Sequence, residues 1–241
     1  MPTNPRDRLI VALDVPDLSQ ADHLMDQLQG LVTTYKIGSQ LFTAAGPRSV
    51  EHVRKRDGRV FLDLKFHDIP TSVAGAVREA VGLGCLMVNV HASGGSAMLG
   101  AAAEAVAEAA RTLSVPRPLV LAVTVLTSLD RAALQRELNV PLSVEVQVLH
   151  LAGLAKAAGL DGCVASAQEA RLLRRSLGKD WVIVAPGIRP AGSPGDDQAR
   201  SLTPGDALRA GADYLVVGRP ITQATDPAAA AQDVIEEMAR G

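Results

Sequence analysis

An α/β barrel of eight parallel strands, the TIM-barrel class, is what this sequence predicts, and three observations carry the prediction. Short aliphatic and β-branched runs alternate with alanine-rich amphipathic stretches along the whole chain. About eight such strand-and-helix units fit into 241 residues, which is the arithmetic of that barrel. The first strand pattern ends in Asp14-Val15-Pro16-Asp17, where a doubly wound open sheet would carry a glycine-rich phosphate turn.

The elements follow in order. LIVAL places the first strand over 9–14, and its unbroken apolarity suits a parallel strand buried on both faces. A helix over 18–29 leads to a strand over 34–38, in TYKIG. The next helical pattern, 40–56, is broken near Gly46-Pro47. Strands over 60–65 and 85–91 flank a helix over 70–82. A helix over 96–113 precedes the strand over 119–125. Beyond it lie a helix over 143–159, a strand over 162–166 and a helix over 167–176. WVIVA marks the strand over 181–185 and YLVVG the strand over 214–218. Thr203-Pro204 and Asp226-Pro227 each read as an N-cap followed by proline at the first helical position, opening helices over 203–210 and 227–239. The irregular run 189–202, RPAGSPGDDQARSL, is long for a connection within a domain and reads as a lid over the barrel rim. No linker or low-complexity segment divides the chain, so residues 1–241 read as one domain.

Composition narrows the function. Lys and Arg number 24 against 26 Asp and Glu, a net charge of −2 that gives no support to a nucleic-acid or membrane surface. Aromatics are only 2% of residues, so base-stacking platforms are scarce and the core must be aliphatic. Cys85 and Cys163 lie in strand-like apolar runs and read as buried, inert thiols. MPTNPRDR lacks an apolar signal core and LIVAL is too short to span a membrane, so a reducing cytoplasm is expected. A small-molecule enzyme is the class that remains.

Charged residues gather at the predicted strand ends. In VFLDLKFHDIPTS, Asp63 and Lys65 stand two apart on a strand and therefore face the same way, with Asp68 three residues later in a loop. A structural ion pair is the plain reading of these residues taken singly. Together with Asp14, which ends the first strand, and Lys36, within the second, they form an array of alternating charge. Such an array holds each group ionised against the cost of desolvation. It also sets an ammonium, Lys65, beside a fixed carboxylate, Asp63, able to repel a substrate carboxylate and protonate the carbon it leaves. At the last strand, Gly218 allows close backbone approach and Arg219 suits bidentate phosphate contact, with Arg189 and Gln198 of the long loop able to close on the same group. His67 and His91 stand near the charged motif. No His-Glu-x-x-His pair or Cys/His cluster marks a metal, and no nucleophile elbow or Walker loop is present.

DLKFHDIP, together with ALDV, YKIG, LTS, APGIRP and VVGRPIT, resembles the orotidine 5′-monophosphate decarboxylase family over nearly the whole chain. The resemblance implies a homodimeric barrel that converts orotidylate to uridylate, in pyrimidine biosynthesis, without metal or organic cofactor. Lys65 would give the proton to C6, Asp63 would meet the departing carboxylate, Lys36 would bridge Asp63 and the ribose, and Asp14 would bind ribose hydroxyls. Asp68 matches the residue delivered across the dimer interface to the neighbour's site, and Ile69 and Ser72 follow it among substrate-binding positions. Thr127 and Ser128 match the segment reading the pyrimidine edge. Pro186, Arg189, Gln198, Gly218 and Arg219 match the remaining substrate contacts, mostly around phosphate. Thr71-Ser72 stands where Asn-Thr is usual, and Gln40 where glutamate is frequent.

The nearest alternative is a metal-dependent sugar-phosphate decarboxylase or aldol enzyme on a related barrel. Its typical early glutamate ligand is missing from Lys36-Ile37-Gly38-Ser39-Gln40. A Schiff-base lyase using Lys65 or Lys36 as nucleophile and a non-catalytic phosphate-ligand binder are further readings. The intact charged array argues against the binder.

Overall fold

The structure is a computed structural model and describes residues 4–190 and 202–241. A short helix, α1 (Pro5–Arg8), leads into β1 (Leu9–Ala12), and α2 (Leu18–Gln27) returns the chain to β2 (Thr34–Gly38). Next come α3 (Ser39–Ala45), α4 (Arg48–Arg54), β3 (Arg59–Phe66), α5 (Pro70–Gly82) and β4 (Met87–His91). A 3₁₀ turn, Ala92–Gly94, opens into α6 (Gly95–Leu113), followed by β5 (Leu119–Val123), α7 (Arg131–Arg136) and α8 (Val144–Ala157). The chain finishes with β6 (Gly162–Val164), α9 (Ala167–Leu177), β7 (Val182–Ala185), α10 (Pro204–Ala210), β8 (Tyr214–Val217), α11 (Arg219–Thr222) and α12 (Pro227–Arg240). Strands pair in chain order, all parallel, and β8 closes on β1 through Leu9–Leu215, Ile10–Val216 and Val11–Val217. This is the predicted TIM barrel.

Two apolar layers explain the unbroken hydrophobic strands. Ile10, Ala12, Phe61, Met87, Leu121, Val184 and Val216 fill the barrel interior. Leu9, Val11, Leu62, Val88 and Leu215 face outward, against the helices. The apolar residues along a strand thus serve one layer or the other in turn. Burying a Val or Leu side chain contributes roughly 1.5–3 kcal/mol before entropy is charged against it. Thr203 and Asp226 cap their helices as the sequence predicts, each accepting a backbone N–H of the first turn, and Asp17 and Ser143 do the same for α2 and α8.

The pattern over 40–56 is two helices, divided at the predicted break, where Gly46 adopts φ 59°. The differences lie at the ends. β1, β5 and β6 stop two residues short of their predicted ends, because the chain leaves the ladder there to build the barrel's rim. Helices α1, α7 and α11 have four to six residues each and no strong pattern of their own. Both thiols are buried, and burial pushes each up to about 12. Cys163 Sγ also accepts the Trp181 indole N–H at 3.3 Å. No helix among the described residues is long and apolar enough to cross a membrane.

Candidate active site

The interior face that carries Ile10 and Ala12 emerges at the top of the barrel as Asp14. The same alternation in β2 and β3 brings up Lys36 and Asp63 beside it. Lys36 and Asp63 are buried in the wall, whereas Asp14 is half exposed at the rim. Lys36 Nζ lies 2.9 Å from Asp14 Oδ1 and 3.3 Å from Asp63 Oδ2. Lys65 Nζ lies 2.8 Å from Asp63 Oδ1. Carboxylate and ammonium therefore alternate through four residues, one just beyond β1, one on β2 and two on β3. Burial alone would lower the Lys36 ammonium, but the carboxylates of Asp63 and Asp14 outweigh it and hold the group above its ordinary 10.5. Lys36 is thus a cation at neutral pH.

Simple alternation accounts for Asp63 but not for Lys65. Lys65 adopts φ 52°, and the β3–β4 pairing shifts between Leu62 and Phe66. Left-handed backbone at a residue with a side chain costs roughly 1–2 kcal/mol. Asn89, buried on β4, meets the irregularity from the neighbouring strand. The Lys65 backbone N–H donates to Asn89 Oδ1 at 2.8 Å, and Asn89 Nδ2 donates to Asp63 Oδ1 at 2.6 Å. Sequence reasoning passed over Asn89. Its signal is a lone carboxamide in the apolar run MVNVH, on the interior face of a strand.

The array forms one wall of a cleft of about 540 Å³ in the top of the barrel. Asp14, Lys36, Asp63 and Lys65 line it on one side, and Thr127 and Ser128, following β5, line it on another. Pro186, Arg189, Gly218 and Arg219 complete the rim after β7 and β8. Phe61, Val123, Val164 and Val216 line the same cleft with apolar surface. Low polarizability around fixed charges strengthens their effect on a bound ligand. Arg189 is anchored where its N–H donates to Leu202 O at 3.0 Å, joining the two described ends of the long loop. Gln198 and the rest of the expected lid, 191–201, lie outside the described residues.

Asp68, Ile69 and Ser72 are not brought to the cleft of their own chain. β3 ends at Phe66, and Pro70 begins α5, which carries the chain away from the rim. All three are exposed, and Ile69, an apolar residue, is 64% exposed. Asp68 Oδ1 accepts the Ile69 backbone N–H at 2.6 Å. His67 and His91 stack with ring centroids 5.1 Å apart. Burial, then His67 and Lys65, hold His91 below its ordinary 6.5. Gly38 is a further residue that sequence reasoning did not single out. A Cβ there would stand 2.8 Å from Asp14 Oδ1 and 2.9 Å from Lys36 Nζ.

Comparison with known proteins gives consistent results. A family model described as Orotidine 5′-phosphate decarboxylase / HUMPS family matches residues 7–234. The orotidine 5′-phosphate decarboxylase of Moorella thermoacetica is 56% identical over 233 residues, covering 97% of this chain and 92% of that protein. That of Syntrophotalea carbinolica is 52% identical over 234 residues, covering 97% and 96%. A crystal structure of orotidine 5′-phosphate decarboxylase from Lactobacillus acidophilus superposes with a TM-score of 0.83 at 36% identity, covering 96% of this chain and 99% of that one.

Proposed function

Since the chain belongs to the orotidine 5′-phosphate decarboxylase / HUMPS family, we propose that it converts orotidine 5′-monophosphate to uridine 5′-monophosphate and CO₂, with Lys65 protonating C6. This is a carboxy-lyase reaction, and its product assigns it to pyrimidine biosynthesis. The observation that carries the reading is the array itself: an ammonium 2.8 Å from a buried carboxylate, at the apolar mouth of a barrel.

Each residue then has a physical task. Arg219, Arg189 and Gly218 bind the phosphate, with Gln198 assigned to the same group and to the base. Asp14 and Lys36 hold the ribose, and Thr127 and Ser128 read the pyrimidine edge beside Pro186. These contacts are remote from the reacting carbon, so their binding energy holds the substrate carboxylate against Asp63. As CO₂ departs, negative charge grows at C6 and the attraction to Lys65 strengthens. An interaction that improves only along the reaction coordinate raises the rate. The Lys65 proton then neutralises C6, leaving the amine beside Asp63 to be reprotonated. No cofactor enters this sequence of steps.

In this reading the protein works in the cytoplasm as a homodimer whose clefts are shared. Asp68, with Ile69 and Ser72 nearby, reaches the ribose and lysine of the neighbouring subunit. Their exposure, together with their absence from the lining of their own cleft, supports this placement.

The test is a spectrophotometric assay following orotidylate with a chelator present throughout. Uridylate and CO₂ formed in equal amounts is the expected result. Turnover that depends on added divalent metal would favour the sugar-phosphate class, and no turnover would refute the proposal.

Two substitutions probe the binding contacts. Arg219→Ala removes a charge-assisted phosphate contact and should weaken nucleotide binding by roughly 1.5–3 kcal/mol. kcat/KM should fall at least as far, while the nucleoside lacking phosphate should be turned over hardly worse than by wild type. An equal loss on both substrates would give Arg219 another role. Gly38→Ala should leave the thermal midpoint within about 4 °C of wild type, because only movable side-chain ends crowd the new methyl. The Asp14–Lys36 pair must nevertheless separate, and kcat/KM should drop about tenfold or more, equivalent to ~1.4 kcal/mol. Unchanged kinetics would show that this pair does not need its observed geometry.

A further inference from the structure

We propose that Asn89 is a positioning residue of this site, its carboxamide locking the Lys65 backbone and the Asp63 carboxylate into one unit. The inference rests on the decarboxylase reading, since it concerns how the proton donor is presented.

The backbone poses a problem that Asn89 solves. Along β3 and β4, Phe61 pairs with Met87 and Leu62 with Val88, and pairing resumes only at Phe66 with Val90. Three residues of β3, 63–65, thus stand against one of β4, Asn89. Lys65 lies within this interruption, at φ 52°, where its N–H has left the regular ladder. Asn89 sits between Val88 and Val90 and fills the gap with its side chain, accepting that N–H at 2.8 Å. A buried N–H without such a partner would be costly.

The other end of the same carboxamide sets the carboxylate. Asp63 Oδ1 receives Asn89 Nδ2 at 2.6 Å and Lys65 Nζ at 2.8 Å, while Oδ2 faces Lys36 Nζ at 3.3 Å. A lysine side chain has four rotatable bonds, so the position of its ammonium depends on where its backbone starts and what its tip touches. Asn89 governs both, from a fully buried position. A neutral carboxamide supplies the acceptor and the donor together without adding charge. Leucine fills the volume with neither, and aspartate keeps the acceptor but replaces the donor with a second acceptor oxygen.

The experiment compares Asn89→Leu and Asn89→Asp with wild type. Turnover is normalised to sites that bind uridylate, and exchange of the Lys65 amide proton is followed by NMR without substrate. For Asn89→Leu, kcat should fall at least tenfold while KM and uridylate affinity change less than threefold. Exchange of the Lys65 amide should accelerate at least tenfold. A merely structural role would lower the thermal midpoint and leave kcat per binding site unchanged, and that result overturns the proposal.

Asn89→Asp is nearly isosteric and carries the test if Asn89→Leu does not fold. It should keep the Lys65 amide protected while placing a carboxyl against Asp63, where the pair shares a proton at low pH. Asp63 and Lys65 on β3 bond to Asn89 directly, Lys36 on β2 and Asp14 beyond β1 follow through Asp63, and His91 lies two residues on along its own strand, stacked on His67. Dividing the variant's pH profile by that of wild type removes their common contribution. The ratio should rise toward acid, where the new carboxyl donates as the carboxamide does, and fall as pH increases. A ratio that is flat and near one refutes the positioning role. Absence of orotidylate turnover in wild type would instead sink the decarboxylase reading, and amide exchange would still decide whether the clamp exists.

Discussion

Lys65→Ala is expected to abolish decarboxylation while the protein still binds uridylate nearly as well as wild type. Loss of a general acid typically costs ~10²–10⁴-fold, and more where the same group stabilises developing charge. Lys65 would do both. The fold should survive the change, because the Lys65 side chain is partly exposed and Asp63 retains Lys36 and Asn89 as partners. Binding should survive because the phosphate and ribose contacts lie elsewhere around the cleft. Single-turnover kinetics with saturating orotidylate, alongside uridylate titration, checks both halves. Turnover within a few-fold of wild type would remove Lys65 from its role.

The second large effect concerns the proposed sharing of each cleft between two subunits. Lys65→Ala and Asp68→Ala homodimers should each be severely impaired. In a twofold dimer the exchange is reciprocal, because an isologous interface gives both subunits the same task. Unfolding and refolding the two variants together then produces mixed dimers with one doubly damaged site and one intact site. The intact site takes Lys65 from one chain and Asp68 from the other. Random pairing makes about half the dimers mixed, so roughly a quarter of all sites should recover activity. If Asp68 served its own chain, every site would lack one residue and mixing would restore nothing. Refolded mixtures assayed beside each variant refolded alone distinguish the two outcomes.

Much of this protein is determined by its sequence read locally. Strands and helices repeat with periods of two and about 3.6, so a face can be assigned from neighbours a few residues away. That is why LIVAL and WVIVA are legible as barrel strands, and why Asp14, Lys36, Asp63 and Lys65 stand out as charged residues in or just beyond apolar strands. The family motifs extend this reading to Thr127, Pro186, Arg189 and Arg219, all of which line the cleft. Short helices such as α7 and α11 escape it, because so few residues carry little propensity and their surroundings decide.

Other features exist only once the barrel has closed. Lys36 and Asp14 are 22 residues apart, and Asn89 and Asp63 are 26 apart, so neither hydrogen bond has a local signature. Gly38 matters because two charged side chains converge over it, and that convergence is a product of strand register. The left-handed turn at Lys65 likewise depends on a partner strand that offers a carboxamide where the ladder is interrupted. The sequence determined which groups reach the rim, through the period of each strand. Only the tertiary structure decided which of them touch, because register and closure are set by packing across the whole barrel.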